Sequence, residues 1–218
     1  MIFTTEDGSH SMRSAQFDEA YHSKYGALQE SQHVFIEAGL QYLVDKGKTT
    51  ISIFEMGMGT GLNVLLTLLY AEKHQIKIDY KTVEAFPILD WSELNYPKLL
   101  REKAAVYFDK IHLLSPMESK VLSPYFTLTK FHQKLEELTF ETASFDLIYY
   151  DAFAPAAQEE LWTEVIFEKL FSAMKPNGVL TTYCAKGSVK RALKAAGFTV
   201  EGIPGPPGKR EMTRAVVG

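Results

Sequence analysis

Ile51-Ser52-Ile53-Phe54-Glu55-Met56-Gly57-Met58-Gly59-Thr60-Gly61-Leu62-Asn63 is the stretch on which the fold turns. Its first six residues form a short apolar and β-branched run, the pattern of a strand, and a leucine-rich helical stretch follows from Leu62 to about Lys73. Between them stand three alternating glycines, Gly57, Gly59 and Gly61. Strand, tight turn and helix are predicted. Glycine permits positive φ and leaves no Cβ to obstruct a ligand at the carboxyl end of the strand. A turn that merely needs glycine is the simpler alternative.

Outward from this turn the elements alternate. Leu28, Phe35, Ile36, Leu40 and Leu43 recur at helical spacing, which predicts an amphipathic helix over 28–44 closed by Gly47. Ile78 to Glu84, Phe126 to Phe131, Phe145 to Tyr150 and Val179 to Tyr183 read as strands, with helical stretches around 88–113 and 159–174. Lys175-Pro176-Asn177-Gly178 breaks the chain before one strand, and a helix begins near Ser188 and ends at Gly197. Phe198 to Ile203 and Glu211 to Val217 pair as a final antiparallel hairpin. The alternation predicts an α/β fold with a mostly parallel sheet and an antiparallel C-terminal strand. One domain over 1–218 is expected, with a cap or helical segment over 1–48 and the α/β core over 49–218.

Composition narrows the function classes. With 218 residues and 46% hydrophobic content the chain can bury one sizeable core. Its longest apolar run, Val64 to Tyr70, is far short of the roughly 20 residues a membrane span needs. Met1 to Ser14 has neither a basic leader nor an apolar block, so a cytoplasmic protein is expected. Cys184 is the only cysteine, which excludes an intrachain disulfide and a cysteine-rich metal cluster. Hydrolase elbows, phosphate-binding loops and zinc-binding His-Glu-x-x-His pairs are missing. Although the net charge is −4, residues 186–218 carry Lys186, Lys190, Arg191, Lys194, Lys209, Arg210 and Arg214 against Glu201 and Glu211. That basic stretch reads either as a footprint for phosphate or as a solvated face.

The glycine turn admits two nucleoside cofactors. A dinucleotide fingerprint needs glycine or alanine where this chain has Leu62, so a nicotinamide-dependent oxidoreductase fits poorly. S-adenosylmethionine carries no phosphate and presents a zwitterionic methionine tail, which Glu55 suits better. Glu84 ends the second strand, where an acid can accept bonds from ribose hydroxyls of either cofactor, or is simply a solvated terminus. Phe145 to Tyr150 delivers Asp151 to the same sheet edge, followed by Ala152-Phe153-Ala154-Pro155. There Asp151 accepts a hydrogen bond from an amine, Phe153 stacks on a base and Pro155 stiffens the loop; the alternative makes Asp151 only a helix N-cap.

At these residues the sequence resembles the bacterial MnmC-type methyltransferase domain, which completes 5-methylaminomethyl-2-thiouridine at the tRNA wobble position. The resemblance runs through Gln16-Phe17-Asp18-Glu19-Ala20-Tyr21-His22-Ser23, Gly26-Ala27-Leu28-Gln29-Glu30-Ser31, Val34-Phe35, the glycine turn and Val83-Glu84-Ala85-Phe86-Pro87. Asp151-Ala152-Phe153-Ala154-Pro155 with Leu161-Trp162, and the closing Gly208-Lys209-Arg210-Glu211-Met212, are its most specific parts. It implies a Rossmann-like class I fold and S-adenosyl-L-methionine held by Glu55, Gly57, Met58, Gly59, Gly61, Asn63 and Glu84. The family has Gly-Asp near the adenine where this chain has Gln133-Lys134, and Gln133 is the expected substitute. Asp151 becomes the expected catalytic residue, with Phe153 and Pro155 on the substrate base. Lys186, Lys190, Arg191, Lys209 and Arg210 become the expected contacts to the phosphates of the tRNA anticodon stem-loop. Many relatives fuse an FAD-dependent oxidase behind the methyltransferase; this chain resembles the stand-alone form, which implies a separate oxidase partner. A methyltransferase-like fold that binds a partner without catalysis is the remaining alternative.

Overall fold

The computed structural model describes residues 1–100 and 103–218. It opens on an antiparallel hairpin, β1 (Ile2–Thr4) and β2 (His10–Met12), whose three-residue strands are too short to show a periodicity in sequence. An irregular segment leads into α1, a continuous helix over 27–45 whose middle, Gln32–Gln41, has π-type hydrogen bonding. The first N–H groups of a helix have no partner inside it. Here the hairpin turn supplies acceptors: Ser9 Oγ takes Ala27 N–H at 3.0 Å and Asp7 Oδ2 takes Gln29 N–H at 3.0 Å. The N-terminal hairpin is therefore the cap that fixes the start of α1.

The α/β core follows in order: β3 (Thr50–Met56), α2 (Leu62–His74), β4 (Lys77–Val83), α3 (Tyr96–Leu100), α4 (Ala104–Leu113), β5 (Ser119–Ser123) and β6 (Phe126–Phe131). Then come β7 (Phe145–Tyr150), α5 (Glu164–Ala173), β8 (Met174–Thr182), α6 (Gly187–Ala195), β9 (Thr199–Pro204) and β10 (Glu211–Val216). Eight strands make one sheet in the order β5-β6-β4-β3-β7-β8-β10-β9. From β6 to β8 all pairs are parallel, whereas β10 runs antiparallel to both β8 and β9. Every residue of β7 is buried, as expected of a strand covered on both faces. Leu147 and Tyr149 join the apolar cluster that includes α1 and α2, while Ile148 and Tyr150 join the one that includes α5 and α6. Gly39 lets α1 lie close on the sheet, since a Cβ there would stand 3.2 Å from Leu147 Cδ1.

Three expectations change. The tetrapeptide Lys175-Pro176-Asn177-Gly178 lies inside β8, not before it: the pairing register shifts between Phe145 and Leu147, and Asn177, at φ 61°, donates to Val217 O. It is a bulge held by the last strand. The helical stretch over 88–113 is two helices after a turn, because Asp90 Oδ1 accepts from Ser92 N and Ser92 Oγ and so competes with helix formation; residues 101 and 102 of that stretch lie outside the described residues. The stretch over 159–174 splits at Thr163, which is extended (ψ 157°) and caps α5 through Ile166 N. β5, antiparallel to β6, is a further strand that was not expected. No described helix is long and apolar enough to cross a membrane.

Candidate active site

Strand order reverses at β3, which has β4 on one side and β7 on the other. Open α/β sheets bind ligands in the crevice outside the carboxyl ends of such strands. A cavity of about 350 Å³ opens there, and a second of about 270 Å³ adjoins it, sharing Phe17, Met56, Ala85, Phe86 and Gln158 as common wall. Cavities of this size, lined by apolar and polar groups together, suit a small-molecule cofactor.

The glycine turn takes the expected positive φ, with 87° at Gly57, 48° at Gly59 and 73° at Gly61. Its missing Cβ atoms, however, make room for the chain itself. A Cβ would stand 2.5 Å from the Asp151 carbonyl oxygen at Gly57, 2.9 Å from the Tyr21 ring at Gly59 and 3.0 Å from His112 Nε2 at Gly61. Gly57, Met58 and Gly59 line the larger cavity; Gly61 lines neither and instead serves as the left-handed N-cap of α2. Leu62, where a dinucleotide fingerprint would have a small residue, is buried at 1% exposure.

Glu84 lines the cavity with both oxygens bound to backbone: Oε2 accepts from Gly59 N and Oε1 from Phe86 N, each at 2.9 Å. The second strand's acid is therefore locked to the glycine turn of the first. Glu55 behaves differently from expectation. It is fully buried and lines neither cavity; Thr82 Oγ1 donates to its Oε2 at 2.7 Å and its Oε1 has no partner. Burial lifts its carboxyl to about 7. Gln133, the expected adenine contact, lines the smaller chamber together with Val83 and Leu135.

Asp151 stands at the end of β7, and its N–H continues the ladder to Met56 O. No helix starts there, so the capping alternative falls. Asn63, in the first turn of α2, donates Nδ2 to Asp151 Oδ2 at 2.9 Å, while its own Oδ1 is buried without a partner. Burial raises the Asp151 carboxyl well above the usual range and the charges of Glu30 and Glu55 push the same way; the Asn63 bond and Lys209 oppose them. A carboxyl poised in this way at a sheet edge is a candidate proton acceptor.

Aromatic rings roof the site. Phe153 packs on Phe17 (centroids 4.9 Å apart) and Tyr21 (5.0 Å), and its backbone is clamped because Gln158 Oε1 accepts from its N–H and Trp162 Nε1 donates to its carbonyl. Pro155 lines neither cavity. His22 is held neutral, burial lowering it to about 4, so the cations lining the larger cavity are Lys24 and Lys209. Lys209 does not point to solvent as a phosphate contact would: its Nζ is 2.6 Å from Glu30 Oε1. Lys190 is likewise taken, by Glu211 at 2.7 Å. Lys186, Arg191 and Arg210 are exposed and have no ion-pair partner among the described residues. Phe17, Tyr21, Glu30, Gln158 and Tyr183, to which no pattern in the sequence assigns a role, also line the larger cavity. The first three stand within the N-terminal stretches that carry the family resemblance, which was the available signal.

Residues 117–217 match a family model described as S-adenosyl-L-methionine-dependent methyltransferase. The chain is similar in fold to the crystal structure of MNMC2 from Aquifex aeolicus, with a TM-score of 0.81, 23% identity, 98% of this chain covered and 69% of that one. The fold is therefore of the Rossmann-like class I α/β type, and its C-terminal half is similar to the S-adenosyl-L-methionine-dependent methyltransferase family.

Within that class the likeness is to the tRNA 5-methylaminomethyl-2-thiouridine biosynthesis bifunctional proteins named MnmC. That of Ralstonia nicotianae is 31% identical over 216 residues and that of Pseudoalteromonas atlantica 30% over 224, with 93% and 94% of this chain covered. The chain spans about a third of the length of these relatives, 32% in both cases.

Proposed function

We propose that the chain transfers a methyl group from S-adenosylmethionine to the aminomethyl nitrogen of 5-aminomethyl-(2-thio)uridine at the tRNA wobble position. The observation that carries this reading is the carboxyl of Asp151, hydrogen-bonded by Asn63 and opening on the same cavity as the glycine turn and Glu84. The residues fit the cofactor: the Gly57–Gly59 backbone and Glu84 for the methionine tail and ribose, Gln133 in the adjoining chamber for adenine, and Asn63 Oδ1 as an unclaimed acceptor in the wall. When bound, S-adenosylmethionine supplies a methyl group on a sulfonium, which passes to the amine nitrogen and leaves S-adenosylhomocysteine.

The chain's own work is to position and to move protons. Only a neutral amine attacks, and a carboxylate with a raised proton affinity is suited to take the proton that the nitrogen loses. Phe153, held by Gln158 and Trp162, offers a ring face for an unpaired base, the mode by which single-stranded RNA is read. Lys186, Arg191 and Arg210 are the contacts for anticodon stem-loop phosphates. The reading includes an FAD-dependent oxidase as functional partner, a cytoplasmic location and a single catalytic domain over 1–218.

The test is methylation of tRNA bearing the aminomethyl group by purified chain and isotopically labelled cofactor, read by mass spectrometry of nucleosides. One labelled methyl on the wobble nucleoside is expected, together with accumulation of the unmethylated amine in a strain lacking the protein. Label elsewhere on tRNA, or on none of it, refutes the substrate assignment.

A further inference from the structure

A cation already sits inside the larger cavity. Lys209 Nζ lies 2.6 Å from Glu30 Oε1 and 4.1 Å from the centroid of the Tyr183 ring. Glu30 is a built feature: its side chain is 10% exposed, its other oxygen accepts from Ser23 N at 2.8 Å, and it stands in the first turn of α1, which Asp7 and Ser9 fix. Tyr183 is held in turn by its hydroxyl, which donates to Ala152 O at 2.9 Å. A nearly buried carboxylate beside an aromatic face is a subsite for an alkylammonium ion, because it offers both a counter-charge and a ring quadrupole. Asp151 opens on the same cavity, with Glu30 and Lys209 both near enough to act on its charge.

We propose that Glu30 and the face of Tyr183 form the subsite that receives the substrate's amine as an ammonium ion, and that Lys209 fills it until the substrate arrives. The proposal rests on the amine-methylation reading. An alkyl amine reaches the protein protonated at neutral pH. Exchange of one ammonium for another keeps Glu30 compensated, whereas a neutral hydroxymethyl group in the same place would leave a buried carboxylate without a counter-charge. The pair therefore selects amine over alcohol. Lys209 can leave without disturbing Glu30, since its side chain is 32% exposed and rotates about four flexible bonds. The ammonium then passes its proton to Asp151 and attacks as the neutral amine.

The experiment compares wild type, Glu30→Gln and Lys209→Met for the KM of aminomethyl tRNA, for kcat, for cofactor Kd by calorimetry and for inhibition by free methylammonium. Glu30→Gln should raise KM on the order of tenfold to a hundredfold, with the cofactor Kd unchanged and methylammonium inhibition lost. Lys209→Met should lower KM several-fold and sharpen methylammonium inhibition, because the subsite is then vacant. A phosphate-contact role for Lys209 predicts the opposite sign, a raised KM that depends on salt, and that result overturns the proposal. So does a pair of variants that changes only the thermal midpoint, which would make the contact a clamp between α1 and the loop before β10. If Glu30→Gln does not fold, Glu30→Asp keeps the charge at shorter reach, and an unchanged KM there also refutes the subsite. Failure of the wild type to methylate aminomethyl tRNA would instead sink the function reading, and this inference with it.

Discussion

Replacing Asp151 by Asn and by Ala separates two ways in which its carboxylate can serve the amine. Asn keeps an acceptor oxygen for orientation but takes no proton; Ala removes both. If Asp151 takes the proton, both variants should lose about 10²- to 10⁴-fold in single-turnover rate, or about 3–5 kcal/mol of transition-state stabilisation. If it only orients, Asn should retain partial activity. The surroundings add a signed test. Burial, with Glu30 and Glu55 acting alike, holds the carboxyl well above its usual range, and the Asn63 bond at 2.9 Å pulls it down. The ionised form is the active base, so kcat/KM should rise with pH as Asp151 deprotonates. A hydrogen bond to a charged group contributes about 1.5–3 kcal/mol, roughly one to two pH units. Asn63→Ala should therefore move that acidic limb upward by about that much, and Glu30→Gln should move it downward. The assay is the pH profile of single-turnover methylation at saturating cofactor. Wild-type rates for Asp151→Ala, or a limb that Asn63→Ala leaves in place, would remove Asp151 from the chemistry.

Gly59→Ala should weaken cofactor binding at least about tenfold, because φ 48° disfavours a side chain and the new Cβ meets the Tyr21 ring; calorimetry on the folded variant checks it, and an unchanged affinity would clear the turn of a binding role. Neutralising Lys186, Arg191 and Arg210 together should reduce the salt slope of tRNA binding by about 2–3 with cofactor affinity intact, and an unaltered slope would return them to a solvated face. Asp146 supplies a stability test at the opposite end of the sheet. Burial alone would raise its carboxyl, but bonds from Lys175, Lys48 and Ser52 outweigh this and hold it at about 2. Since the folded value is depressed, its stabilisation of about 2 kcal/mol is present above about pH 4 and is lost as pH falls toward 2. Asp146→Asn should lower stability at pH 7 and flatten the acid limb of the unfolding free energy; equal acid limbs in denaturant titrations would refute the assignment.

What sequence carried well was the part of the fold set by local pattern. β7 is buried throughout and β3 nearly so because both of their faces are covered, while β4 alternates Ile78, Tyr80 and Thr82 inward with Lys77 and Asp79 exposed; these three and β6 fell within one residue of their expected places. The errors lie where side chains override pattern. Asp90 bends the chain before α3, Thr163 restarts α5, and Asn177 adopts a left-handed conformation because Val217 O, forty residues away, accepts its N–H. The β1–β2 hairpin was hidden in a polar start. Its function is legible only in three dimensions, where Asp7 and Ser9 cap α1 and so determine where Glu30 stands.

The site divides along the same line. The placement of Glu84 and Asp151 on one edge was readable because each directly follows a strand, and strand ends in a parallel sheet share one edge whatever the loops do. Glu55 stands differently from expectation: two residues before the first glycine of the turn, a strand side chain faces either the crevice or the core, and spacing alone does not say which. Here it faces the core, where Thr82 binds it. The charge count misled in a further way. Lys209 belongs by composition to a basic terminal stretch, yet its partner is Glu30, 179 positions earlier, and the contact closes a cavity between the two ends of the chain. Lys190 and Arg214 are neutralised by Glu211 and Glu201 in the same way. Only the exposed cations outside such pairs, Lys186, Arg191 and Arg210 among them, carry the positive field that RNA would meet, so the electrostatic footprint is smaller than the sequence implies. Lys209 is left to be judged by what it does inside the cavity, where a cation beside a carboxylate and a ring marks the place for another amine.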